Sequence, residues 1–120
     1  MKEEVKEWIN QSIDELETAK ISFESKKYKA SAFWCQQSVE KAFKAVMLEK
    51  SGKIIKTHDL VFLGKEINLP AELLKKAKEL TQAYIYARYP SISEPENIRK
   101  IVSGFLEYTK EILEWTKKKL

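Results

Sequence analysis

Apolar residues recur every three or four positions along most of this chain, the period that gathers them on one side of an α-helix. Val5, Trp8, Ile9, Ser12, Leu16, Ala19 and Phe23 draw one stripe with lysines and glutamates opposite, which predicts a helix over residues 3–24. A polar Ser25-Lys26-Lys27 turn follows. A second helix is predicted over residues 28–50, striped by Ala32, Cys35, Val39, Ala42, Phe43, Val46 and Met47. Phe33, Gln37, Glu40 and Lys44 keep helical spacing on a neighbouring face, so this helix is expected to make contacts on more than one side. Its small residues Ala30, Ser31, Ala32 and Ala42 permit close helix approach.

Gly52 suits the left-handed cap that ends such a helix. Thr57 is expected to cap a short helix, with Asp59 in its first turn and Leu60, Val61, Leu63 and Ile67 inward. Pro70 fits the first position of the next helix, striped by Leu73, Leu74, Ala77, Leu80, Thr81, Tyr84 and Ile85 and running to Arg88. Pro90 disfavours helical geometry at Tyr89 and should stop it. Ser93-Glu94-Pro95-Glu96 reads as a Ser-x-x-Glu capping box. The last helix follows on Ile98, Ile101, Val102, Phe105, Thr109, Ile112, Leu113 and Thr116. No alternating strand pattern or internal repeat competes. The expected fold is all-α: an up-and-down bundle of four long helices plus one short helix, a single domain over residues 1–120.

Composition narrows the class. Hydrophobic content of 43% with 33% charged residues fits a soluble folded chain. No apolar run approaches the roughly 20 residues that span a bilayer. The start, Met1-Lys2-Glu3-Glu4-Val5-Lys6-Glu7, lacks the apolar core of a signal peptide. A cytoplasmic protein without a membrane partner is expected. One cysteine and one histidine exclude a disulfide framework and a multi-residue Cys/His metal site, so neither metal nor cofactor is expected. Cys35 reads as a small buried apolar residue. Walker, dinucleotide, nucleophile-triad and DNA-specific motifs are missing.

Charge is uneven. Residues 1–24 carry three lysines against seven acids, and residues 25–57 carry eight lysines against Glu40 and Glu49. That basic segment suits a polyanion or an acidic partner; it equally suits a solvated lysine face.

Candidate chemistry gathers at the break between the last two helices. Residues 84–99 hold three of the five tyrosines, two of the three prolines and both arginines, Arg88 and Arg99. A guanidinium fork matches phosphate oxygens, and tyrosine rings stack on bases. Structural packing would use the same residues. His58 is the one imidazole, able to serve as acid or base or to fix its loop. Gln36-Gln37 and Glu40-Lys41 lie mid-helix beside the apolar stripes, which indicates a partner, a satisfied network or a Glu40–Lys44 pair one turn apart. Glu40 is also placed to answer Arg88 across the bundle.

Three ordered segments resemble the HEPN family (higher eukaryotes and prokaryotes nucleotide-binding domain): Ala32 to Lys44, then Thr57-His58-Asp59-Leu60, then Tyr86-Ala87-Arg88-Tyr89-Pro90. The resemblance implies a helical bundle, a homodimer, and a nucleotide or RNA site in a polar groove. It carries that groove onto Gln37, Glu40, Lys41, His58, Arg88 and Tyr89. It further implies a minimal nucleotidyltransferase protein as partner, in a toxin–antitoxin-like pair. Many members are metal-independent ribonucleases with an Arg, four to six residues, then His. That motif is absent here, because His58 precedes both arginines. The expectation is a protein that binds nucleotide or RNA phosphate through Arg88, with Tyr86 or Tyr89 stacking. The alternatives are a ribonuclease toxin using Arg88 with His58, and a purely structural dimeric module whose helix break serves the interface, a reading that Phe33 and Trp34 on the second face of the second helix also suit.

Overall fold

The computed structural model describes residues 1–90 and 93–120, and for residues 83, 84 and 86–88 the backbone alone. Five helices follow one another: α1 (Glu3–Glu24), α2 (Tyr28–Ser51), α3 (Leu60–Glu66), α4 (Ala71–Arg88) and α5 (Ile98–Lys118). Four are long, α3 is short, and no strand occurs among the described residues.

The second helix is central because its apolar surface is wider than one stripe. It packs against α1, α3, α4 and α5. Phe43, Val39 and Val46 sit at full burial along it, with Leu60 and Leu63 of α3, Leu80 of α4 and Ile112 of α5 around them. Its first three turns lie close against α1, and small residues make that possible. Ser12 Oγ donates to the Ser38 carbonyl and Ser38 Oγ to the Ser12 carbonyl, each at 2.7 Å. Ser31 Oγ donates to the Ala19 carbonyl at 2.8 Å. Hydroxyls of this length reach a neighbouring backbone only where the helices nearly touch, and the bonds remove the cost of burying them.

Turn chemistry was legible in part. Gly52 ends α2 at φ 75°, the left-handed value anticipated for it. The fourth helix ends at Arg88, with Tyr89 extended as the proline rule requires. Three starts differ from expectation. The cap of α3 is Asp59, whose carboxylate accepts from Val61 N and Phe62 N at 3.1 Å. Thr57 Oγ1 instead accepts from Asp59 N, shaping the loop ahead of the helix. Pro70 stands one position before α4 and gives its carbonyl to Leu74 N. The Ser93 to Glu96 box does not cap α5, which begins at Ile98 behind a turn closed from Ile98 N to the Pro95 carbonyl.

Nor does the basic segment make one face. At 24 residues α2 is about 36 Å long, nearly the 42 Å long axis of the molecule. Lys26, Lys27 and Lys29 sit at or beside one end and Lys50, Lys53 and Lys56 at or beside the other. Lys41 and Lys44, between them, are paired with buried glutamates. No helix among the described residues is long and apolar enough to cross a membrane.

Candidate functional site

Polar residues at positions 36, 37, 40, 41 and 44 of α2 occupy the seam between its apolar faces, where packing buries them and each needs a partner. Glu40 is 3% exposed and Gln36 1%. Three donors converge on the Glu40 carboxylate. His58 Nδ1 lies 2.9 Å from Oε1, Lys44 Nζ 3.0 Å from Oε2, and Gln36 Nε2 3.4 Å from Oε1. Burial works to raise the Glu40 carboxyl, but the bonds and charges of His58 and Lys44 outweigh it and hold the group below its ordinary value. Lys44, itself buried, also lies over the Trp8 ring at 5.8 Å from the centroid.

Gln36 carries the network further. Its Nε2 reaches the His58 carbonyl at 3.4 Å, and its Oε1 accepts from Gln37 Nε2 at 2.8 Å. Gln37 in turn accepts from Lys41, which is paired with the buried Glu15 of α1. Two ion pairs are thereby joined through two amides, from α1 across α2 to the loop before α3. That loop is stiff where it matters: Thr57 and Asp59, on either side of His58, both bond backbone N–H groups.

The His58 side chain is 65% exposed. It lines a cleft of about 470 Å³ with Gln36, Asp59 and Val61 on one side and Lys78, Gln82 and Ile85 of α4 on the other. Apolar walls with a few polar groups are the usual make-up of a small-molecule site. A larger groove of about 670 Å³ between α1 and α5 mixes Asp14, Glu17 and Glu114 with Lys20, Lys110 and Lys117. No buried polar network of the described residues supports that second groove. The cleft at His58 is the candidate site.

A family model for the HEPN domain matches residues 5–120. The chain belongs to the HEPN domain family. Solved structures agree with that placement. A protein of Thermus thermophilus superposes with a TM-score of 0.87 at 25% identity, covering 99% of this chain and 100% of its own. An archaeal HEPN homologue gives 0.78 at 29% identity, with 98% of each chain covered. A HEPN domain protein of Thermotoga maritima gives 0.78 at 26%, covering 93% of this chain and 95% of its own. No curated protein matches the chain.

Within this HEPN domain the expected site residues fall into three groups. His58 lines the cleft, and Glu40 stands behind it, gripping the imidazole. Gln37 and Lys41 belong to the same network but bond toward Glu15. Tyr89 caps α4 and is 52% exposed. The side chains of Tyr86 and Arg88 lie outside the described residues, and so does the expected Glu40–Arg88 pairing. Arg88 is the last residue of α4, three positions beyond the cleft residue Ile85. Sequence reasoning missed Glu15, Lys78 and Gln82. Glu15 falls between Ser12 and Ala19 at helical spacing, inside the α1 stripe. Lys78, Gln82 and Ile85 repeat at four and three, a stripe hidden by the stronger apolar one of α4.

Proposed function

We propose that this HEPN domain binds a nucleotide or an RNA phosphate in the cleft between His58 and α4, as a homodimer paired with a minimal nucleotidyltransferase in a toxin–antitoxin-like module. One observation carries the reading: a buried, ionised carboxylate holds an exposed imidazole in an apolar-walled cleft whose far wall is the second half of α4, from Lys78 to Ile85. Arg88, at the end of that helix, supplies the phosphate fork; Tyr86 or Tyr89 stacks on the base; Lys78 adds a second cation. Gln37 and Lys41 act through the network that positions Glu40. Phe33 and Trp34, an edge-to-face pair at 5.1 Å on the outer part of α2, serve the dimer.

Calorimetric titration of ATP, GTP and a short single-stranded RNA against wild type and Arg88→Ala tests the binding. Loss of a charged phosphate contact should weaken it by roughly tenfold or more. Equal binding by both proteins removes the Arg88 role, and no binding to wild type removes the reading. A minimal nucleotidyltransferase from the same genome that fails to co-purify on co-expression removes the pairing. A monomer by light scattering at micromolar concentration removes the dimer.

A ribonuclease reading draws on the same Glu40–His58 contact, since an oriented imidazole is the commonest general acid or base. No turnover of a fluorogenic RNA by wild type would dispose of it.

A further inference from the structure

The turn between α1 and α2 carries a lysine where its backbone favours glycine. Lys27 N donates to the Ser22 carbonyl at 2.8 Å and Lys26 N to the Phe23 carbonyl at 2.9 Å, which puts Lys26 at the left-handed position of a helix end, with φ 61°. Glycine takes the left-handed position at the end of α2, where Gly52 has φ 75°. A lysine there is strained, and strained positions of this kind gather at binding surfaces. Lys26 has cationic and aromatic neighbours. Phe23 meets Tyr28 edge-on at 5.5 Å between centroids, and the Arg99 guanidinium of α5 lies over the Phe23 ring at 5.9 Å. Phe23, Asn97, Arg99, Lys100 and Ser103 line a groove of about 500 Å³. Lys26, Lys27, Arg99 and Lys100 are exposed, and none of them pairs with a carboxylate among the described residues. Glu24, Glu94 and Glu96 are the exposed acids of the adjoining segments.

We propose that this end of the bundle is a binding surface for a single-stranded polynucleotide, held by its phosphates and without sequence preference. Lys26, Lys27 and Lys100 meet successive phosphates, and Arg99, backed by the Phe23 ring, stacks on a base. A strand supplies phosphates and base faces together and fits a groove. A lipid surface supplies phosphates alone and is flat. The groove shares no lining residue with the cleft at His58, so the two sites stand or fall separately.

Fluorescence anisotropy of labelled oligouridylate and oligothymidylate, each about 12 residues long, against the whole chain tests the surface. Both should bind, and log Kd should rise with log salt between about 50 and 200 mM at a slope of about 2 to 3, as three or four phosphate contacts to a single strand require. Arg99→Gln and Lys27→Gln should each weaken binding by roughly threefold or more and lower that slope by about 0.7. Lys26→Gly should weaken binding likewise while raising the urea midpoint, because glycine relieves the left-handed position. Lys53→Gln, just beyond the far end of α2, should leave Kd within about twofold. No binding by wild type, Arg99→Gln binding as wild type does, or an equal loss in Lys53→Gln would each overturn the inference. A lower urea midpoint in Lys26→Gly would overturn the strain argument on which the role of Lys26 stands. Binding to phosphatidylserine vesicles that the same substitutions abolish, with neither oligonucleotide bound, would assign the surface to lipid and overturn the inference as well.

Discussion

Glu40→Gln isolates the charge at the centre of the network while keeping its shape. In the wild-type chain Lys44, His58 and Gln36 all donate to this carboxylate. An amide keeps one acceptor oxygen but turns the other atom into a donor, which must face Lys44 Nζ or His58 Nδ1. The Lys44 side chain is only 10% exposed. Stranding a buried charge by deleting its partner costs about 3–5 kcal/mol. The remaining amide oxygen and the Trp8 ring recover part of that, so the expected loss is about 2–3 kcal/mol. In urea, with a slope of about 1.5 kcal/mol/M, the midpoint should fall by about 1.5 M. The sign with pH follows from the lowered Glu40 carboxyl. Its contribution is present above the ordinary carboxylate value of 4.5 and is lost as pH falls through the lower folded value. Wild type and Glu40→Gln should therefore converge as pH is taken from about 6 to about 3. Lys44→Met should cost little on the Glu40→Gln background, giving a coupling of at least about 1 kcal/mol. A loss under about 0.5 kcal/mol at neutral pH, or a gap unchanged across the acid range, would refute the reasoning.

Other positions give simpler tests. Burial pushes the Cys35 thiol up to about 12 against a bond with Thr109, so a thiol reagent should label the chain only after denaturant unfolds it; rapid native labelling would contradict this. Asp59→Ala should lower stability by about 1 kcal/mol and Thr57→Ala by less, since Asp59 supplies both cap bonds of α3; the reverse order in urea melts would restore Thr57 as the cap. Phe43→Ala, at 0% exposure in the middle of α2, should cost about 3–5 kcal/mol, and a loss under about 1 kcal/mol would place that ring outside the tightly packed core.

The helices were legible because each carries an apolar stripe at one period, and α1 and α2 match their predicted spans to within a residue. Their starts were less legible. Thr57, Asp59 and Ser93 are all cap-type residues, and only the path of the chain decides which hydroxyl or carboxylate meets the first free N–H groups. For the site, sequence identified Glu40, Lys41, Gln37 and His58 as polar residues out of place. It did not tell contact from support. His58 and Glu40 are 18 positions apart, and their pairing depends on the crossing from α2 to α3. Glu15 was hidden because a glutamate among polar neighbours on α1 looks solvated until Lys41 is brought to it from another helix. The charge pattern likewise did not show how far apart its lysines lie, since α2 separates those at its ends by nearly the length of the molecule.

The most direct test of ligand binding in the cleft is a titration of ATP followed on the carbon-bound imidazole protons of His58, the single histidine of the chain. Occupation of the cleft predicts a saturable shift with the same Kd that calorimetry gives. Saturable binding that leaves those resonances unmoved would contradict it, as would the absence of any binding.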